Sequence, residues 1–113
     1  MKILTEKQIL ILYLIASEPG IKGIYTLVKI FDRADFPANM TENLNPLLKE
    51  NLISISEKFD NGTAKEYKIT QEGENFLKLN FDALKTINYI KTMDEPKLIL
   101  EITQAYINKQ KGS

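Results

Sequence analysis

The chain contains no cysteine, no histidine and no tryptophan, and Arg33 is its only arginine. Without cysteine there is no thiol nucleophile and no disulfide, and without histidine there is no imidazole base. Zinc held by histidine or cysteine is excluded for the same reason. Lack of cysteine also fits a cytoplasmic protein, which is the expected location. No apolar run approaches the ~20 residues that cross a bilayer, so no membrane partner is expected. The five glycines are separated from one another, and none forms a phosphate-cradling loop. Carboxylates such as Glu42, Glu50, Asp60 and Glu66 are spaced as surface decoration. The chain reads as non-enzymatic, with no cofactor and no metal.

What is present is a chain of one-domain size, 113 residues, 43 % hydrophobic and 27 % charged, with fifteen basic and fifteen acidic residues. Such a composition folds rather than staying disordered. The opening residues combine weak positive charge with an apolar stretch. Glu6, Lys7 and Gln8 nevertheless introduce a helical pattern with no small-residue cleavage site after it, so a helix is expected there and not a secretion signal.

Thr5-Glu6-Lys7-Gln8 has the form of a capping box, opening a first helix over residues 6–17 that Pro19-Gly20 ends. Ile9, Leu12, Tyr13 and Ala16 form one face. Leu10, Ile11, Leu14 and Ile15 make the rest equally apolar, which points to burial from two sides or to a subunit contact. A second helix covers 24–33, with Tyr25, Leu27, Val28 and Phe31 as its apolar positions.

A third helix lies within 39–50, turning Met40, Leu44, Leu47 and Leu48 inward. Thr41, Glu42, Asn45 and Lys49 lie on the opposite face. Pro46 lacks a donor and is comfortable only in a first turn, so the regular helix is expected to begin near Asn43, or at Thr41 with a bend. The apolar period then shortens to two at 53–56 and 65–69. Asn61-Gly62 between them predicts a tight hairpin, since both residues tolerate positive φ. Thr70 caps a fourth helix in which Gly73 either weakens the helix or lets it approach a neighbour. A fifth helix follows over 82–91, and Asp94 is expected to cap the last, ending near 109, with Glu95 and Pro96 in its first turn.

The fold class is therefore mainly α with one small β-hairpin. Three helices, a hairpin and further helix resemble the winged helix-turn-helix proteins. The stretch Asn45-Pro46-Leu47-Leu48-Lys49-Glu50-Asn51-Leu52-Ile53 looks like the end of the recognition helix in the PadR-like and MarR-like transcriptional regulators. Glu66 to Leu77 is similar to their wing-to-helix junction. The resemblance covers roughly residues 5–80; the expected division is a winged helix-turn-helix domain over 1–80 and a C-terminal helical dimerisation extension over 81–111.

The resemblance implies a dimeric, sequence-specific regulator of double-stranded DNA, its third helix in the major groove and its hairpin wing on the backbone. Thr41, Glu42 and Asn45 would face base edges. Lys49 would reach phosphate, and Lys58, Asn61 and Lys65 would serve from the wing. Lys22, Lys29 and Arg33 could add to that face. Charge points elsewhere: residues 36–80 hold five lysines and seven carboxylates, a net of −2. DNA affinity draws heavily on phosphate neutralisation. A winged-helix protein-interaction module without DNA affinity is the rival reading.

Leu84, Ile87, Leu98, Ile102 and Tyr106 carry more apolar surface than a small protein leaves wet. Together with Leu10 and Leu14 they are the expected homodimer contact, the alternative being that these helices cover the chain's own core. A small-molecule effector pocket lined by Tyr13, Tyr25, Tyr89 and Tyr106 is a further possibility.

Overall fold

The structure is a computed structural model that describes residues 4–36 and 39–111. It is mainly helical with one two-stranded hairpin: α1 (Glu6–Ala16), α2 (Ile24–Arg33), α3 (Met40–Lys49), β1 (Ile53–Lys58), β2 (Ala64–Ile69), α4 (Gln71–Asn80), α5 (Ala83–Ile90) and α6 (Lys97–Lys111).

Helix α1 is the central element. The capping box forms: the Gln8 N–H donates to Thr5 Oγ1 at 3.2 Å, and the Thr5 N–H donates to Gln8 Oε1 at 3.0 Å. Every residue from Ile9 to Ile15 is buried. α3, α4, α5 and β2 all pack on it. An apolar circumference is stable only when neighbours cover it on all sides, and each buried leucine or isoleucine stabilises by roughly 1.5–3 kcal/mol. Leu10 and Leu14 are 0 % exposed within the single chain, so neither retains surface for a second subunit. That corrects their expected place in a dimer contact: the apolar surplus of α1 is consumed by burial from two sides.

Helices α2 and α3 end in the same way. The Asp35 N–H donates to the Asp32 carbonyl and the Phe36 N–H to that of Phe31; the Asn51 N–H donates to the Leu48 carbonyl and the Leu52 N–H to that of Leu47. Both are Schellman motifs, with Asp35 (φ 51°) and Asn51 (φ 60°) in the left-handed position. The second of them returns Leu52 and Ile53 to the core just as the hairpin begins.

Three local expectations change. Helix α3 starts at Met40 and runs through Pro46, forgoing only the bond that Pro46 cannot give Glu42. Its first turn is closed by the Asn43 N–H on the Asn39 carbonyl, so the start does not wait for the proline. In the hairpin, only Gly62 of the Asn61-Gly62 pair has positive φ (89°). The Gly62 N–H donates to the Phe59 carbonyl and the Phe59 N–H to that of Thr63, giving a three-residue loop in place of a two-residue one. Asn61 is used differently: its Oδ1 accepts from both the N–H and the hydroxyl of Thr63, at 3.0 and 2.7 Å. Last, α6 opens on the Pro96 carbonyl, to which the Leu100 N–H donates, and not on Asp94. The Glu95 N–H is committed to the Ala34 carbonyl at 3.0 Å, which pins the α5–α6 link to the end of α2.

β1 and β2 pair antiparallel, with Ile53 opposite Ile69 and Ile55 opposite Tyr67, and with irregularities on either side of Glu57. Tyr67 is buried and Ile69 packs on the core, so one face of the base of the hairpin covers the helices. The Tyr67 N–H donates to the Lys22 carbonyl at 2.9 Å, and Gly23 bridges Glu66, so the segment before α2 acts as a third, one-residue strand.

The last helices belong to the same core. Ile90, Met93 and Ile99 are buried in it, and Ile102 and Tyr106 pack against it half-buried. Lys109 Nζ donates to the Glu18 carbonyl at 3.2 Å, tying α6 to the end of α1.

Candidate nucleic-acid interface

Three elements build the outward face that the resemblance singles out. Leu44 and Leu47 seat α3 on α1, which leaves Thr41, Glu42, Asn45 and Lys49 exposed along the opposite strip. Thr41, Asn45 and Lys49 stand four residues apart, and so lie one above another on the helix. Thr41 and Glu42 border a shallow hollow with Ile24 and Val28 of α2. Asn39 Nδ2 donates to Glu42 Oε2 at 3.1 Å, so the carboxylate is held at the start of α3.

In the hairpin, Lys58 and Asn61 are exposed and Lys65 is half-buried. Lys65 Nζ lies 3.4 Å from Glu57 Oε1 and 5.8 Å from the centre of the Phe59 ring. Its charge already has a partner within the wing, although the pair is exposed and readily screened. Of the three basic residues considered near α2, Lys22 turns to the α1–α2 link and donates to the Pro19 carbonyl at 3.1 Å. Lys29 and Arg33 are exposed on α2.

The distribution of carboxylates revises the charge count. Glu50 and Glu72 border a groove over Leu52 and Phe76. Glu74 and Lys78 line a different hollow, beside Tyr13 and Phe81. Removing these four from the segment leaves Lys49, Lys58, Lys65 and Lys68 against Glu42, Glu57, Asp60 and Glu66 on α3 and the hairpin. The net of −2 over residues 36–80 thus becomes zero on the elements themselves.

One pair of residues in this region escapes sequence reading. Tyr25, one of the apolar positions of the second helix, is 73 % exposed, and its ring meets Phe59 at 5.3 Å between centroids, tilted by 45°. This contact joins the start of α2 to the tip of the hairpin. Only the fold brings the two rings together, so no local pattern announces them.

The four tyrosines expected to line one pocket do not share one. Tyr13 lines a hollow of about 400 Å³ between α1 and α4, and Tyr106 a neighbouring one of about 340 Å³. Tyr25 sits over α2, and Tyr89 packs edge-on against Phe36 at 6.0 Å. Burial raises the pKa of Tyr13, with a smaller opposing effect from its hydrogen bond to Ser17. Burial also raises that of Tyr106, offset in part by a backbone hydrogen bond at Gly20. For Tyr89, burial and then the Glu6 carboxylate raise it.

Among the described residues no cluster of three carboxylates is arranged to hold a metal ion, and no helix is long and apolar enough to cross a membrane. No protein-family model matches the chain, and no curated protein or solved structure matches it either. The class of protein accordingly rests on geometry: a helical bundle carrying one antiparallel hairpin, in an arrangement compatible with a winged-helix-like module.

Proposed function

We propose that the chain is the DNA-binding module of a transcription regulator acting as a two-fold homodimer, with α3 entering the major groove and the hairpin lying on the backbone. The observation that carries this reading is the exposed strip of Thr41, Asn45 and Lys49, backed by Leu44 and Leu47 in the core and accompanied by an exposed hairpin. A hydroxyl and an amide can pair with base edges, and a lysine at the end of the strip can reach a phosphate. Lys58, and Lys65 once Glu57 is displaced, would supply the wing contacts, with Asn61 at the tip.

A neutral face makes the binding weak in electrostatic terms. Each neutralised phosphate steepens the logarithmic salt dependence by about 0.9, so two or three lysines per protomer imply a slope of roughly −4 to −5 for the dimer. The test is a mobility-shift titration against random and genomic duplex between about 50 and 200 mM salt. Binding at low salt that falls along that slope is expected. No shift on any duplex at low salt overturns the reading.

A protein-interaction module is the second reading, favoured by one observation: the carboxylates equal the lysines on α3 and the hairpin, and one of those lysines is already paired with Glu57. A protein partner protecting α3 and the hairpin, in a chain with no duplex affinity, would establish it. No effector is assigned, and a cytoplasmic location belongs to the proposal, with which a cysteine-free sequence is compatible.

A further inference from the structure

We infer that the α4–α5 corner is a self-complementary contact through which two copies of the chain associate, each seating its Leu84 in the other's acidic-rimmed groove. The inference deepens the homodimer part of the proposed function and does not depend on DNA.

Leu79 and Leu84 are 80 % and 71 % exposed, and they flank the turn between α4 and α5. Burying such aliphatic side chains against an apolar recess is favourable, at about 25 cal/mol per Å² removed from water. Leu79 is one wall of a groove of about 260 Å³, whose remaining apolar lining is Leu4, Leu52 and Phe76. Glu50 and Glu72 stand at its border, and among the described residues no cation lines it. Asn51 Nδ2 donates to Glu72 Oε1 at 3.0 Å, which holds that carboxylate in place.

The helix beside the groove has the opposite character. α5 contains two lysines and no carboxylate counting its C-cap, Lys91. Leu84, Asn88 and Lys91 follow at helical spacing along one outward strip, with Lys85 next to Leu84. The acid just before it in the chain, Asp82, is occupied as the N-cap, its Oδ1 accepting from the Lys85 N–H at 3.0 Å. Lys85 reaches Glu6 at 3.6 Å, in a pair whose lysine is mostly exposed and which solvent weakens. One surface therefore offers an apolar recess with a negative border, and the adjoining surface an apolar knob with positive neighbours.

A two-fold axis beside this corner would satisfy both halves at once, since in a C2 contact residue i meets j and j meets i. The occupant of the groove is then a second copy of this chain. Leu84 and Lys91 of each protomer would face the Leu52–Phe76 recess and the Glu50–Glu72 border of the other. Of the residues expected at a dimer contact, Leu84 is kept and the half-buried Ile87 lies three residues along from it, whereas Leu10 and Leu14 drop out because they are buried.

The test is sedimentation equilibrium of the full chain without DNA up to about 100 µM, on wild type, Leu84→Asp and Leu84→Lys, with circular dichroism confirming that each variant folds. Twice the 13.0 kDa monomer mass is expected for wild type. Both substitutions lose the same apolar contact, but only aspartate meets the carboxylate border with like charge. Leu84→Lys should weaken the dimer by about tenfold and Leu84→Asp by about a hundredfold at low salt, the gap closing at high salt. A monomeric wild type, a dimer indifferent to either substitution, or equal losses from both would overturn the contact. Duplex binding is measured separately, so an absent mobility shift with an intact Leu84-dependent dimer overturns the DNA reading alone.

Discussion

The hydroxyl of Thr70 donates to the Asn51 carbonyl at 2.6 Å and accepts from the Gly73 N–H at 3.0 Å. One side chain thus caps α4 and fastens it to the residue that ends α3. The Thr70 N–H adds a bond to the Leu52 carbonyl at 3.1 Å. The position of the α3 strip relative to the hairpin depends on this junction, because β1 begins two residues after Asn51.

Gly73 lets the junction close. A Cβ there would collide with the Leu52 carbonyl oxygen and the Ile69 side chain. Gly73→Ala, which would ordinarily favour a helix by about 1 kcal/mol, should instead destabilise by about 2 kcal/mol, as overpacking does. Urea unfolding checks this; an unchanged or raised midpoint would remove the junction from the account. Thr70→Val should cost about 1–2 kcal/mol through the lost cap.

Thr86 and Thr103 are buried in α5 and α6, and neither hydroxyl has a hydrogen-bond partner among the described residues. A buried unsatisfied group costs about 1–3 kcal/mol, and replacing it with an apolar group of the same shape removes that cost. Thr86→Val and Thr103→Val should each raise stability by about 1 kcal/mol, read as a higher urea midpoint at unchanged slope. A midpoint that falls would mean that each hydroxyl finds a partner in solution.

Asp35 holds a left-handed conformation, φ 51°, at the end of α2. Asp35→Gly removes the side-chain strain, set against glycine's larger entropy loss on folding, for a net gain of about 0.5–1 kcal/mol. Thermal unfolding checks the direction. The same change at Asn51 should gain less, since it also deletes the hydrogen bond to Glu72.

Alkaline pH should weaken the fold through its buried tyrosines. Burial raises the pKa of Tyr67 above the ordinary 10.0, so the folded state keeps the phenol proton after the unfolded chain has released it. Stability is therefore unaffected below the unfolded value and falls as pH rises past it, the unfolded state binding fewer protons there. Comparing urea midpoints at about pH 9 and about pH 11, Tyr67→Phe should show a smaller drop than wild type. An identical drop would exclude Tyr67 from the linkage.

The Tyr25–Phe59 contact should steady the hairpin. Tyr25→Ala is expected to cost about 1 kcal/mol, since aromatic pairs contribute about 0.5–1.5 kcal/mol beyond burial. Its signature is faster amide exchange at Thr63 and Phe59, with little change in the core amides. Uniform exchange throughout the chain would show that the rings do not hold the hairpin.

Much of the fold is written locally. The Thr5–Gln8 box, the helical periods, the change to period two at Ile53 and the Thr70 cap depend on neighbours three or four residues away, within reach of sequence reading. The strip on α3 was equally legible, because Leu44 and Leu47 fix its opposite face. Where local reading failed, a competing hydrogen bond had intervened, distant in one case and local in the other. Glu95 gives its N–H to Ala34, so α6 opens on Pro96 and not on Asp94. Asn61 turns its amide oxygen to Thr63, so the loop gains a residue.

The shortage of particular residues determined, from the sequence alone, that this chain offers no thiol, no imidazole and no histidine or cysteine ligand for zinc, and periodicity determined a helical chain with one hairpin. Only the tertiary structure decided how the surfaces are used. It buried Leu10 and Leu14, exposed Leu79 and Leu84, and set Glu50, Glu72 and Glu74 along the borders of surface hollows. Periodicity reports which side of a helix is apolar, but exposure and local charge depend on what packs against it from far along the chain.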